Sequence, residues 1–293
     1  MKPRAFRYHR PTCRAEALQM LAAEDEDARV LAGGQSLVPL MNLRFAAPSA
    51  LVDINRCDDL AGIRETDGWL TIGAAVRQRD AELSPLVRRR CPLVAEALRL
   101  NGHPATRHRG TVGGTLAHAD PGAELPGVAV ALGAEMVVDG PAGERVVPAA
   151  DFFLGALTTC LAPGEMLVAV RFPAVPSGAG WALVETGVRA HDLAIAGVAV
   201  QTTAGTHGRT TRIAAFGIAA APLRLPALER LVTDLPRDAR PAGDAVREAV
   251  DADIAGADLL ENLQASAAYR RTVTAALAAR ALDRALAGAR AGL

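Results

Sequence analysis

Two glycine stretches flanked by hydroxyl side chains are the parts of this chain best suited to chemistry. The first, Ala32-Gly33-Gly34-Gln35-Ser36-Leu37, follows a short apolar segment and opens a helical one. Glycine leaves backbone amides uncovered and a helix N-terminus concentrates positive potential, so such a loop can cradle a phosphate. The second, Thr111-Val112-Gly113-Gly114-Thr115, again sets two glycines among hydroxyls. A lone Gly-Gly is as readily a tight turn that needs positive φ. Two such loops, well separated in sequence, can clasp the two phosphates of a dinucleotide from opposite sides. The matching hydroxyls shift the balance towards binding.

The other candidate chemistries lack their residues. Lys2 is the only lysine, so no Walker A loop exists, and no G-x-G-x-x-G or H-E-x-x-H occurs. Cys13, Cys57, Cys91 and Cys160 are far apart, without the local spacing of a zinc site or an iron–sulfur cluster. His103, His108, His118 and His191 share no i, i+4 spacing within one helix and are read as hydrogen-bonding or exposed. The 32 basic side chains balance 32 acidic ones, and aromatics are 3%. A nucleic-acid binder usually shows a basic excess with interleaved aromatics, so that class is set aside. No apolar run reaches the roughly 18 residues of a membrane helix, and the charged N-terminus has no signal-peptide core. The expectation is a soluble, cytoplasmic protein.

The elements that must position the loops follow from pattern and punctuation. Residues 4–8, 29–31, 51–54 and 69–72 read as strands. Thr12 can N-cap a helix running to about residue 22, and Ser36 a short helix over 37–43. Apolar residues at helical spacing mark 91–100 as a helix that Asn101-Gly102 ends. The glycine-rich 110–120 leads into an apolar helix over 123–132. Strands follow at 134–138, 144–147 and 166–172. The Pro- and Gly-rich stretch 173–180 is the best linker. Beyond it, 181–188, 194–202 and 211–219 form a three-strand meander, and helices span 244–252 and 266–287. The cut near residue 176 gives domains of 1–176 and 177–293, both α+β. The run Asp25-Glu26-Asp27 reads as a solvated turn, and Arg88-Arg89-Arg90 as a helix end or partner-facing surface.

Several segments together resemble one family. Residues 32–44, AGGQSLVPLMNLR, and 109–126, RGTVGGTLAHADPGAELP, resemble the two flavin-binding loops of the medium subunits of xanthine dehydrogenase and carbon monoxide dehydrogenase-type molybdenum hydroxylases. Asp151–Thr158, Pro163–Leu167 and Arg171–Pro173 resemble the segment closing that domain. Arg189–Gly197 and Ser266–Arg271 resemble the opening and the final helix of the family's C-terminal domain.

The resemblance implies an FAD-binding domain of the PCMH type, vanillyl-alcohol-oxidase-like, with two subdomains. A C-terminal α+β domain with a three-stranded antiparallel sheet lies beside the flavin. It implies that Ala32 to Leu37 and Thr111 to Thr115 take the pyrophosphate, with His118 of the second motif also at the cofactor. It puts Gly73, Ala74, Ala75 and Leu167 near the flavin, Glu124 near its ribityl or ribose hydroxyls, and Arg189 and Asp192 beside the ring. It also implies non-covalent FAD, molybdopterin in a large partner subunit, [2Fe-2S] clusters in a small one, and a dimer of heterotrimers. Thr106, His108, Val188 and Ala190-His191 depart from the family pattern. The rivals are a stand-alone flavin oxidoreductase of related fold and a scaffold subunit without cofactor.

Overall fold

The computed structural model describes residues 1–205, 208–236 and 239–291. The last two positions of the expected C-terminal domain lie outside them. Of the four sheets among the described residues, three stack in succession and the fourth is the small pair Phe153–Gly155 and Thr158–Thr159. A small parallel sheet sets Ala50–Asp53 between Arg7–His9 and Arg29–Leu31. A five-stranded antiparallel sheet runs Ile63–Thr66, Trp69–Gly73, Met166–Pro173, Glu135–Asp139, Arg145–Pro148. The third sheet runs Gly180–Thr186, Ala196–Gly205, Gly208–Phe216, Leu223–Arg224. It is four-stranded, not three-stranded as expected. Its last strand has only two residues, too few to show the alternation by which strands are read.

Alternation along the strands explains the stacking. Leu70, Ile72, Met136, Val138, Val170 and Phe172 face a large core shared with helices Pro92–Leu100 and Glu124–Leu132. From the same sheet, Val137, Val168 and Ala169 face the opposite way, against helix Arg14–Ala22 and the small parallel sheet. The third sheet likewise has two apolar faces. Leu183, Ala199, Ala214 and Phe216 join the large core. Val184, Val198, Val200 and Ile213 pack on helices Pro226–Thr233, Gly243–Ile254 and Ala267–Ala291. Such strands read as nearly continuous apolar runs. No helix among the described residues is long and apolar enough to cross a membrane.

Local signals were partly misread. Helix Arg14–Ala22 starts one residue later than a Thr12 cap requires. Cys13 occupies the N-cap, and Thr12 donates to Glu16 through its amide (2.8 Å) and its hydroxyl (3.0 Å). The helices Pro85–Arg90, Pro104–Arg109 and Pro226–Thr233 each open on a proline, whose fixed φ suits a first turn. Each is too short for its periodicity to have been read.

The Phe216 ring is the bolt between helix Glu124–Leu132 and the third sheet. A Cβ on Gly127, in helix Glu124–Leu132, would lie 2.5 Å from it, and a Cβ on Gly197 only 2.1 Å. The ring therefore fills a slot that only glycine leaves open on both sides. Gly127→Ala or Gly197→Ala should each destabilise the chain by about 1–3 kcal/mol through overpacking, read as a lowered urea midpoint. An unchanged midpoint would show that the slot relaxes freely.

Candidate functional site

The two glycine loops meet across a cleft of about 850 Å³, within the size range of small-molecule and cofactor sites. The chain segment 161–167 also lines it.

The first loop leaves strand Arg29–Leu31 and enters helix Leu37–Asn42. Gly33 is required by contact, not by backbone angle. A Cβ there would lie 2.4 Å from the Arg109 carbonyl oxygen and 2.7 Å from the Gly110 Cα. Only Gly34 has positive φ, at 71°. Ser36 occupies the N-cap position, but its side chain makes no capping bond. Among the described residues, no protein oxygen accepts a hydrogen bond from the amides of Gly34, Gln35 or Ser36. These are donors without acceptors on the wall of a cleft.

The second loop is a helix, which corrects the expected glycine-rich loop. Val112–His118 is helical through Gly113 and Gly114, neither at positive φ. Two glycines lower helix propensity, but the turn is fixed from outside. Thr111 Oγ1 accepts from the Gly114 amide at 2.9 Å, and the Ala74 carbonyl accepts from the Gly113 amide at 3.0 Å. Those amides are therefore not free donors, contrary to expectation. What the glycines supply is closeness. A Cβ on Gly113 would lie 2.4 Å from the Ala74 Cβ. The hydroxyls and the helix end carry the polar chemistry.

Gln78 was missed in the sequence. It is 3% exposed and lines the cleft. Its Nε2 donates to the Thr115 hydroxyl oxygen, while its Oε1 is buried with no partner among the described residues. Because that oxygen accepts from Gln78, the Thr115 hydroxyl keeps its own proton to donate elsewhere. Nothing in the sequence around Gln78 signals this. Asp120 also lines the cleft, its Oδ1 accepting from the Gly122 amide at 2.9 Å. It belongs to the second motif, where no local signal distinguishes it from its neighbours. Asp25 and Glu26, read as a solvated turn, lie on the cleft rim.

Of the residues named from the sequence, Ala32 to Leu37 line the cleft together. So do Ala74, Thr111, Gly113, Gly114, Thr115, His118 and Leu167. Gly73 and Ala75 do not. Gly73 packs on the Leu60 carbonyl, 2.2 Å from where its Cβ would be, and the Ala75 amide donates to the same carbonyl at 2.9 Å. Arg189 is exposed and Asp192 half-buried, and neither lines the cleft; their neighbour Leu193 does. An Arg189–Asp192 side-chain pair is not formed. The Asp192 amide instead donates to the Arg189 carbonyl at 3.3 Å, closing a turn.

Glu124 is not on the cleft wall either. It is 2% exposed at the start of its helix. Burial, reinforced by the nearby Glu185 carboxyl, pushes its pKa up to about 8. Glu185, from the third sheet, is pushed up to about 7, chiefly by its own burial, and its Oε2 has no partner among the described residues. The two acids belong to the contact between the halves of the chain.

Uncovered amides, a free hydroxyl proton and close backbone approach suit a diphosphate better than a neutral ligand. The comparisons with known proteins agree. Residues 4–175 match the family model described as the FAD binding domain in molybdopterin dehydrogenase. Residues 182–285 match the CO dehydrogenase flavoprotein C-terminal domain. The carbon monoxide dehydrogenase medium chain of Hydrogenophaga pseudoflava is 40% identical, over 97% of this chain and 98% of its own. A subunit of 6-hydroxypseudooxynicotine dehydrogenase from Paenarthrobacter nicotinovorans is 37% identical, over 99% and 97%. Among solved structures, a chain of the Hydrogenophaga pseudoflava enzyme superposes with TM-score 0.92 at 40% identity, covering 98% of this chain and 99% of that one. A chain of quinoline 2-oxidoreductase from Pseudomonas putida 86 does so with TM-score 0.90 at 33% identity, covering 99% of each.

Fold and site thus define a flavin-binding oxidoreductase subunit, as the resemblance implied. The chain belongs to the FAD-binding medium subunits of the carbon monoxide dehydrogenase-type molybdenum hydroxylases.

Two outcomes are expected. Gly33→Ala should abolish FAD retention, because its methyl group drives the loops apart, while Gly256→Ala, in open space and not at positive φ, should leave retention intact. Flavin absorbance after gel filtration reads both. The second outcome concerns pH. Unfolded, Glu124 and Glu185 ionise near the ordinary 4.5, but folded they hold their protons to about 8 and about 7. Across that window the folded state binds more protons, so stability is greatest at its acid end and falls as pH rises. Glu124→Gln should flatten the fall of Tm between these limits. Parallel wild-type and variant curves would show that Glu124 ionises normally.

Proposed function

We propose that this chain is the electron-transfer subunit of a heterotrimeric molybdenum hydroxylase. It takes electrons from [2Fe-2S] clusters of a small subunit and passes them to an external acceptor. Molybdopterin and substrate hydroxylation belong to a large subunit, in a cytoplasmic dimer of heterotrimers. The flavin domain is residues 1–176 and the C-terminal domain residues 177–293.

The observation that carries this reading is the cleft with acceptor-less amides at Gly34, Gln35 and Ser36 facing a second loop 75 or so residues further on. Those amides, with the Thr111 and Thr115 hydroxyls, would hold the diphosphate of a non-covalently bound FAD. Ala32, Gly33 and Leu37 shape that end, while Gly113 and Gly114 let the second loop approach. Ala74, His118 and Leu167 would line the cofactor, with Gly73 and Ala75 supporting them from behind. Glu124 is a supporting acid behind the wall. Arg189 and Asp192 lie in the loop that brings Leu193 to the cleft. When bound, FAD supplies redox exchange with one- and two-electron partners. The chain's share is position, electrostatics and exclusion of water. The relatives' names range from carbon monoxide to 6-hydroxypseudooxynicotine to quinoline. One medium-chain fold beside such different substrates supports electron handling rather than substrate choice.

Acid precipitation of the purified yellow chain should leave a colourless pellet and free FAD in solution. The same chain should oxidise no aldehyde, heterocycle or carbon monoxide until a cluster-bearing and a pterin-bearing polypeptide are added. Colour in the pellet would mean a covalent flavin. Turnover by the lone chain would overturn the electron-transfer reading.

A further inference from the structure

The contact of Gly33 with the Arg109 carbonyl needs something to hold it, since two backbone segments in van der Waals contact have no attraction specific to that register. A chain of side-chain hydrogen bonds joins them. Asn55 lies in the single turn Ile54–Arg56 that follows the central strand of the parallel sheet. Its Nδ2 donates to the Ala32 carbonyl at 2.8 Å and to Asp53 Oδ1 at 2.5 Å. The Asp53 carboxylate accepts further bonds from the Asn55 amide (2.9 Å) and the Tyr8 hydroxyl. The Asn55 Oδ1 accepts from Arg77 Nη2 at 2.6 Å, and Arg77 Nη1 donates to the Arg109 carbonyl at 2.5 Å.

The orientation of the Asn55 amide is dictated by its neighbours. A carboxylate and a carbonyl can only accept, and a guanidinium can only donate, so Nδ2 must face the first two and Oδ1 the third. The contacts form a closed ring: Ala32 carbonyl, Asn55, Arg77, Arg109 carbonyl, and back across the Gly33 contact to Ala32. The Arg77 backbone pairs with Thr111, at the start of the second loop. Arg77 is half-buried, and its two described hydrogen bonds both go to neutral oxygens. Burial and then the neighbouring Arg109 lower its pKa, against a smaller opposing pull from Asp80 and Asp53. Its charge is thus held just behind the two loops, only partly offset by those two carboxylates.

We infer that Asn55 and Arg77 act as one strap, which fixes the spacing of the two glycine loops and sets a positive charge behind the diphosphate site. They are positioning residues, acting on the diphosphate through the loops. The inference rests on the reading that the diphosphate of FAD lies in this cleft. Asn55 supplies the only geometry that meets a carbonyl, a carboxylate and a guanidinium at once. Aspartate loses the donor, and leucine loses both ends. Arg77 needs its fork: lysine keeps the charge but carries a single ammonium in place of the two separated donors.

The test uses the full-length chain stripped of flavin and compares Asn55→Ala, Arg77→Met, Arg77→Lys and the double variant Asn55→Ala/Arg77→Met. Affinity for FAD is measured by quenching of flavin fluorescence, and affinity for ADP, which carries the diphosphate without the ring, by calorimetry. Hydrogen bonds to a charged group of this kind support a loss of about tenfold or more for each single variant, with both ligands. Because each variant opens the same ring, the double variant should bind no more weakly than the worse single one. Arg77→Lys should fall between wild type and Arg77→Met. At saturating FAD the visible absorption maxima should match wild type, since the strap acts at the phosphate end; a general collapse of the site would shift them. Unchanged affinities, losses that simply add, or full rescue by lysine would each overturn the strap. Should Arg77→Met not fold, Asn55→Ala and Arg77→Lys carry the same comparison. Failure of wild-type protein to bind either ligand would instead reject the reading of the cleft.

Discussion

The site depends on two places where backbone touches backbone with no room for a side chain. At Gly33 the first loop lies against the Arg109 carbonyl, and at Gly113 the second helix lies against Ala74. Each contact joins segments far apart in sequence, and each is possible only because the Cβ is missing. An alanine at either point would need the partner backbone to move, and packed interiors yield little. The glycines therefore act less as hinges or phosphate-binding amides than as absences that let two walls of one cleft close. The free donors then fall where closure leaves them: the first loop's amides, and hydroxyls such as Thr115.

Closure also needs a rigid background. Two of the sheets bury apolar side chains on both faces, so their central strands are gripped from two sides. The large core runs without a break from the five-stranded sheet, through helices Pro92–Leu100 and Glu124–Leu132, into the third sheet. Phe216 crosses that junction between Gly127 and Gly197. Backbone bonds reinforce it, from Ala194 to Gly122 (3.0 Å) and from Gly217 to Pro121 (2.7 Å). The buried Arg270 of the long C-terminal helix donates to the Ile195 and Gly217 carbonyls. The loop that brings Asp120 to the cleft is thus held by the C-terminal half.

Electrostatics are local in a chain whose formal charge is zero. Arginine supplies nearly all the cations, and most of those near the site are fastened. Arg107 is buried against Glu82 at 2.9 Å and also donates to the Gly102 carbonyl at 2.6 Å. Such a pair adds little net stability after desolvation, but it fixes the turn before the second loop. Glu124 and Glu185 show the opposite arrangement, two buried acids whose protons are retained chiefly by burial, with the Glu185 carboxyl adding to the shift of Glu124.

The sequence by itself determined the family and fold class, the positions of both loops and many of the elements around them. The helix Pro92–Leu100 and its Gly102 stop were legible because periodicity and a positive-φ residue are local properties. The glycine pairs were legible as candidate sites because hydroxyls accompany them. Only the tertiary structure decided what each glycine does. Whether Gly33 or Gly113 serves a turn, an amide or a close approach depends on Arg109 and Ala74, which no local window contains. The same holds for the helix through Gly113-Gly114, which propensity argues against and an outside carbonyl enforces. It holds for Gln78 and for Glu124, whose surroundings come from other elements, and for Asn55 and Arg77, ordinary polar residues until the fold brings Ala32 and Arg109 together. Local chemistry wrote the parts that bind; the contacts between distant segments, governed by packing, decided how they meet.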